Sequence, residues 1–231
     1  LDALLAEVER WAITDYTVAL ARGDSLSPPE RERIARRLAR YTGLSADLIL
    51  RSNLRISAST FQKHLLADRR QTVGRFDGRL TAFDLNPIAG WPQFDPSLSQ
   101  YLPIYTSTFN DYIRRELNYE SVLTYEVLSD QVRPWKFGEE GTGFLSVVDE
   151  LRGAMARNPA LRVMFVSGYY DMATPHFATW YTVNHLDLGP LQESIVERIY
   201  EGGHMMYHYA PARVGLHEDM EAFYRQAVPA R

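Results

Sequence analysis

Two short segments bring together residue types that chemistry uses. Asp171 stands in Val166-Ser167-Gly168-Tyr169-Tyr170-Asp171-Met172-Ala173-Thr174-Pro175, just after the apolar run 161–166. His204 stands in Tyr200-Glu201-Gly202-Gly203-His204-Met205-Met206-Tyr207, just after the alternating run 194–200. A carboxylate that holds an imidazole is the orienting half of an acyl-transfer triad. The acid fixes the tautomer and stabilises the imidazolium, while the imidazole takes a proton from a nucleophile and returns it to the leaving group. Acid before histidine is also the tail of the α/β-hydrolase order, Ser then Asp then His. Each residue alone has a plainer reading. An Asp after a strand commonly caps or turns the chain, and a lone His is most often structural. The pairing in this order leaves the catalytic and structural readings both open.

The elements that would position these residues follow from apolar spacing. Leu161 to Val166 is a nearly continuous apolar run, which predicts a strand buried on both faces of a parallel sheet. Ile195, Glu197 and Ile199 alternate, which predicts a second strand over 194–200. Phe144, Val148, Leu151 and Met155 form a helix stripe before the first strand. Thr174-Pro175 starts a helix carrying Phe177, Trp180 and Tyr181, and Pro211 opens a last one with Leu216, Met220, Phe223 and Ala227 on one face. Helix, strand, helix, strand, helix is the grammar of an α/β layer. Ligands in such sheets bind beyond the C-terminal strand ends, so neighbouring strands would bring Asp171 and His204 to one crevice. Two strands cannot make a covered sheet, so most of one is expected to lie outside this chain.

The first half reads as helices. Leu4, Leu5, Val8, Trp11, Ala12, Ala19 and Leu20 keep helical spacing up to Gly23. Ser27-Pro28-Pro29-Glu30 is a capping-box start for a helix with Ile34, Leu38 and Tyr41 on its stripe, closed by Gly43. Ser45 caps a short helix through Leu50, and 61–67 reads as another. Residues 72–97 are dense in turn signals and read as a long irregular surface connection. A helix then runs from Leu102 to about Asn118. The expected organisation is a mainly helical region over 1–125 and an α/β segment over 126–231.

Composition narrows the classes. The 231 residues carry 25 basic and 29 acidic side chains, so no nucleic-acid surface is indicated. No apolar run approaches the roughly 18 residues of a membrane helix. Cysteine is absent from the chain, which excludes disulfides and thiolate sites within it. Arg31, Arg33, Arg36, Arg37 and Arg40 alternate with Glu30 and Glu32, which predicts a solvated helix face. His204, His208 and His217 invite a metal reading, but no Glu base stands between the first two, and Gly202-Gly203 and Pro211 argue for a loop. His176, in a helix first turn after Asp171, could line the same pocket. The remaining alternative is a noncatalytic interaction or structural module.

The two segments resemble the serine carboxypeptidase family (peptidase S10), most closely its bacterial branch. There a strand ends in Gly-Asp-x-Asp with Pro four residues after the second Asp, as Asp171 and Pro175 stand here. Gly202-Gly203-His204-Met205, with Pro211 seven residues beyond the His, is similar to that family's Gly-His-Met-Val-Pro motif. Tyr169 stands where the family has its first Asp, and Met206-Tyr207 replaces Val-Pro. The resemblance implies an incomplete α/β-hydrolase preceded by a helical cap. It implies Asp171 as triad acid, His204 as triad base and Met205 as a residue beside the substrate's terminal carboxylate. The implied activity is cleavage of peptides from the C-terminus through a serine acyl-enzyme, with no metal or organic cofactor, in a periplasmic or secreted setting. None of the fourteen serines stands in a Gly-x-Ser-x-Gly elbow. Ser146 reads as helix and Ser167 as strand. The chain is therefore expected to be the C-terminal portion of a longer hydrolase, inactive alone, partnered by an N-terminal portion that carries the serine.

Overall fold

Helix caps and an apolar stripe set the first part of the chain. The computed structural model describes residues 2–132, 134 and 146–228, and the chain divides into two compact units, Leu1–Pro96 and Ser97–Arg231. The sequence division at 125/126 falls inside the second unit.

In the first unit, the single helix expected from Leu4 to Leu20 is two helices, α1 (Asp2–Trp11) and α2 (Thr17–Arg22), joined by a π-helical turn over Ala12–Tyr16. The cause is local. The hydroxyls of Thr14 and Thr17 donate to the carbonyls of Arg10 and Ala12, each at 2.7 Å, in competition with the backbone ladder. Trp11 is 3% exposed and stacks on Tyr16 with ring centroids 5.1 Å apart. Helix α3 (Pro28–Thr42) starts as its motif predicts: Glu30 accepts from the Ser27 backbone N–H at 2.8 Å. Hydrogen bonds from Arg22 and then Ser27 pull the Glu30 carboxyl down to about 2. Gly43 ends α3 at φ 77°, a left-handed conformation that glycine adopts without steric cost. Helices α4 (Ala46–Arg51) and α5 (Ala58–His64) follow. Ile34, Ala35, Leu38, Ile49 and Leu54 close the core around Trp11. Three arginines of α3 meet carboxylates: Arg31 meets Asp24 at 3.2 Å, Arg36 meets Glu32 at 2.7 Å and Arg37 meets Asp15 at 3.2 Å.

The stretch expected to be irregular holds an antiparallel hairpin. Strand β1 (Gln71–Val73) pairs with β2 (Thr81–Phe83) in the register Gln71↔Phe83, Thr72↔Ala82, Val73↔Thr81. Three-residue strands are too short to show a period of two in the sequence.

The second unit contains α6 (Pro96–Arg115), α7 (Val148–Arg157), β3 (Val163–Gly168), α8 (His176–Val183), β4 (Ile195–Tyr200) and α9 (Ala210–Ala227). Phe144, expected on the α7 stripe, lies outside the described residues. Ser146 is exposed and precedes α7 instead of lying within it. Strands β3 and β4 are parallel, from Val163↔Ile195 to Gly168↔Tyr200, with α8 in the crossover. Burial of β3 on both faces is not found. Val163 to Val166 are half-buried, because among the described residues β3 has one strand neighbour and not two. The buried core is small: Met155, Leu186 and Leu188, with Leu151, Val163 and Ile195 packed around it. Among the described residues the chain is thus a mixed helix-and-strand protein with two small sheets.

Candidate active site

The site is built where β3 and β4 end. The ladder continues past the strands: the Tyr169 N–H donates to the Tyr200 carbonyl at 3.0 Å and the Tyr170 N–H to the Gly202 carbonyl at 2.9 Å. The loops after the two strands therefore leave the sheet side by side. Asp171 follows one and His204 the other, and they meet, with His204 Nδ1 2.8 Å from Asp171 Oδ2. This lies within the 2.6–3.2 Å expected of an orienting carboxylate. The Asp171 side chain is 3% exposed and that of His204 40%.

Every described contact at the carboxylate comes from a donor. Oδ1 accepts from the backbone N–H groups of Ala173 at 2.7 Å and Thr174 at 3.1 Å. Oδ2 accepts from Thr174 Oγ1 at 2.6 Å as well as from His204. Burial by itself pushes the Asp171 carboxyl up, toward the protonated form. The hydrogen bonds from Thr174, His204 and the two backbone amides outweigh it, and the carboxyl lies below its ordinary value. An acceptor-only carboxylate requires the proton on Nδ1, which leaves Nε2 as the basic nitrogen. Thr174 Oγ1 also stands 3.2 Å from Nδ1, sharing that proton in a three-centre arrangement. Sequence reasoning missed Thr174. The signal was present in its spacing, since a residue three after Asp can close an Asx-type turn.

Met205 is half-buried beside His204, and its carbonyl accepts from the His208 N–H at 3.0 Å. A cavity of about 360 Å³ lies between β3 and α8, with Phe165, Thr174, Ala178 and Thr182 on its uncharged walls. His176 is not on those walls; its ring packs edge-on against Tyr169 at 5.3 Å. The metal alternative gains nothing. Among the described residues no three His, Asp or Glu side chains are grouped to hold an ion, and His204 is committed to Asp171 while His208 meets Tyr105. Among the described residues no helix is long and apolar enough to cross a membrane. Comparison of the chain with family models, curated proteins and solved structures finds no match.

Proposed function

We propose that Asp171 and His204 are the acid and base of a serine-type hydrolase of the carboxypeptidase kind, which removes residues from the C-terminus of peptides. The observation that carries this reading is the 2.8 Å bond between a buried, ionised carboxylate and a part-exposed imidazole at adjacent parallel-strand ends. In it, Asp171 holds His204 with Nε2 toward the nucleophile. Nε2 takes the serine proton as Oγ attacks the scissile carbonyl, and gives it to the leaving amine. A water deprotonated by the same nitrogen then releases the acyl group. No serine of this chain stands in a nucleophile elbow, so the serine comes from a polypeptide segment outside these 231 residues. Strands β3 and β4 are then the last two strands of a larger α/β-hydrolase sheet. The half-exposure of Val163 to Val166 supports this, because a parallel strand is ordinarily covered. Met205 stands beside the substrate's terminal carboxylate in this scheme.

A noncatalytic role is favoured by one observation. Val122, Leu123 and Leu128 are largely exposed, as residues that pack on a partner would be.

The test uses the whole encoded polypeptide with a fluorophosphonate probe and a blocked dipeptide. We expect covalent labelling of one serine and release of the C-terminal residue. Asp171→Asn should lower kcat by on the order of 10⁴, as when a triad acid becomes its amide and the tautomer is lost. Absence of labelling, or turnover unchanged in His204→Ala, overturns the reading.

A further inference from the structure

The turn that carries His204 is held at its other end by a helix far away in sequence. His208 closes the turn, donating its backbone N–H to the Met205 carbonyl at 3.0 Å. Its ring lies among tyrosines: Tyr101 at 4.5 Å and Tyr105 at 5.5 Å between centroids, both from α6, and Tyr207 at 5.1 Å from the turn itself. The Tyr105 hydroxyl and His208 Nε2 share a hydrogen bond. Burial, and then the neighbouring Tyr207, push the Tyr105 phenol up, so it remains protonated and can serve as the donor.

Between His204 and His208 the chain has little slack. A Cβ on Gly202 would stand 2.8 Å from Met206 Cα, so the turn folds back on its own start. Met206 is buried. A displacement of His208 is therefore passed along four residues to His204. At the other end, the Gly202–Gly203 backbone is pinned against Gly168.

We propose that Tyr105, acting through His208, is a positioning residue for His204: α6 fixes the far end of the 202–208 turn and thereby the angle at which the imidazole meets Asp171. This rests on the reading of His204 as the base, but its geometric content does not require that reading. The Tyr105 hydroxyl bonds His208, and no described bond joins it to Asp171 or His204. It sets how much of the time Nδ1 is seated on the carboxylate, and so should alter kcat and leave KM alone.

The experiment follows two readouts in Tyr105→Phe, which deletes one oxygen atom, and in His208→Leu and His208→Gln. The first is the His204 Nδ1–H proton resonance in the full chain, with its rate of exchange with water. The second is turnover of the blocked dipeptide by the whole encoded polypeptide. Tyr105→Phe and His208→Leu should each speed exchange and lower kcat by about fivefold with KM unchanged, the size of one neutral hydrogen bond. Combining them should add no further loss, since both remove the same contact. His208→Gln, whose amide oxygen can accept from Tyr105, should restore both readouts to within about twofold. Exchange and chemical shift of the His204 proton unchanged in Tyr105→Phe and His208→Leu overturn the tether. A response of that resonance in a protein that neither turns over peptide nor labels with fluorophosphonate would support the tether while removing the hydrolase reading.

Discussion

A Cβ placed on Gly168 would stand 2.2 Å from the carbonyl oxygen of Gly203 and 2.5 Å from that of Gly202. The obstruction is backbone on both sides, so no side chain can swing away. Gly168 is the last residue of β3 and Gly203 the residue before His204. Their contact makes the Asp171 and His204 loops leave the sheet together. Gly168→Ala should force the strands apart, costing about 1–3 kcal/mol as overpacking does. It should also lengthen the Asp171–His204 bond. Urea unfolding reads the first effect and loss of the His204 Nδ1–H resonance the second. An unfolding midpoint and a resonance both equal to the wild type would refute the argument.

Thr174 offers a test with a definite pH sign. The Asp171 carboxyl lies below its ordinary value in the folded chain. The stability it contributes is therefore present above the unfolded carboxylate value and is lost as pH falls through the folded one. Thr174→Val removes the donor at 2.6 Å and raises the folded value. The variant should be less stable by about 1–2 kcal/mol near neutral pH. That deficit should shrink as pH falls through the variant's folded value and then the lower wild-type one, because the unfolded carboxyl titrates alike in both. Thr174→Ser should keep the wild-type profile. Unfolding curves at neutral and acid pH check this, and a deficit that does not depend on pH would contradict it.

What the sequence allowed to be read is what local chemistry decides. The Ser27–Glu30 start and the Gly43 stop of α3 follow from capping and from φ, and both are found. The two parallel strands and the loops bearing Asp171 and His204 follow from apolar runs interrupted by glycine and turn residues. Features set by distant partners, or by side-chain hydrogen bonds that compete with the local ladder, were not legible. The π turn after Trp11 depends on two threonine hydroxyls competing for carbonyls. The half-exposure of β3 depends on which strands lie beside it. Thr174 becomes meaningful only once Asp171 is known to hold His204. The bond between Tyr105 and His208 joins residues 103 apart, beyond the reach of any periodicity.

Lys63 and Asp84 form a buried pair that the hydrolytic scheme does not use. Lys63 is 1% exposed and Asp84 4%. The ammonium is 2.6 Å from both carboxylate oxygens and 2.5 Å from the Asn86 carbonyl, so all three of its protons have acceptors. Asp84 Oδ1 also accepts from the Asn86 N–H at 3.2 Å. The pair ties α5 to the chain leaving β2. A fully satisfied buried pair roughly balances its desolvation, whereas one charge left alone does not. Lys63→Met should therefore cost about 3–5 kcal/mol, because Asp84 stays buried without its counter-ion. The double variant Lys63→Met/Asp84→Leu should recover much of that loss, which neither single change can do. Unfolding of the full chain at low and high salt is the measurement. The loss caused by Lys63→Met should change little with salt, since water and ions do not reach the pair. A double variant as unstable as the sum of the single ones would show that α5 and the hairpin are joined by packing and not by this charge pair.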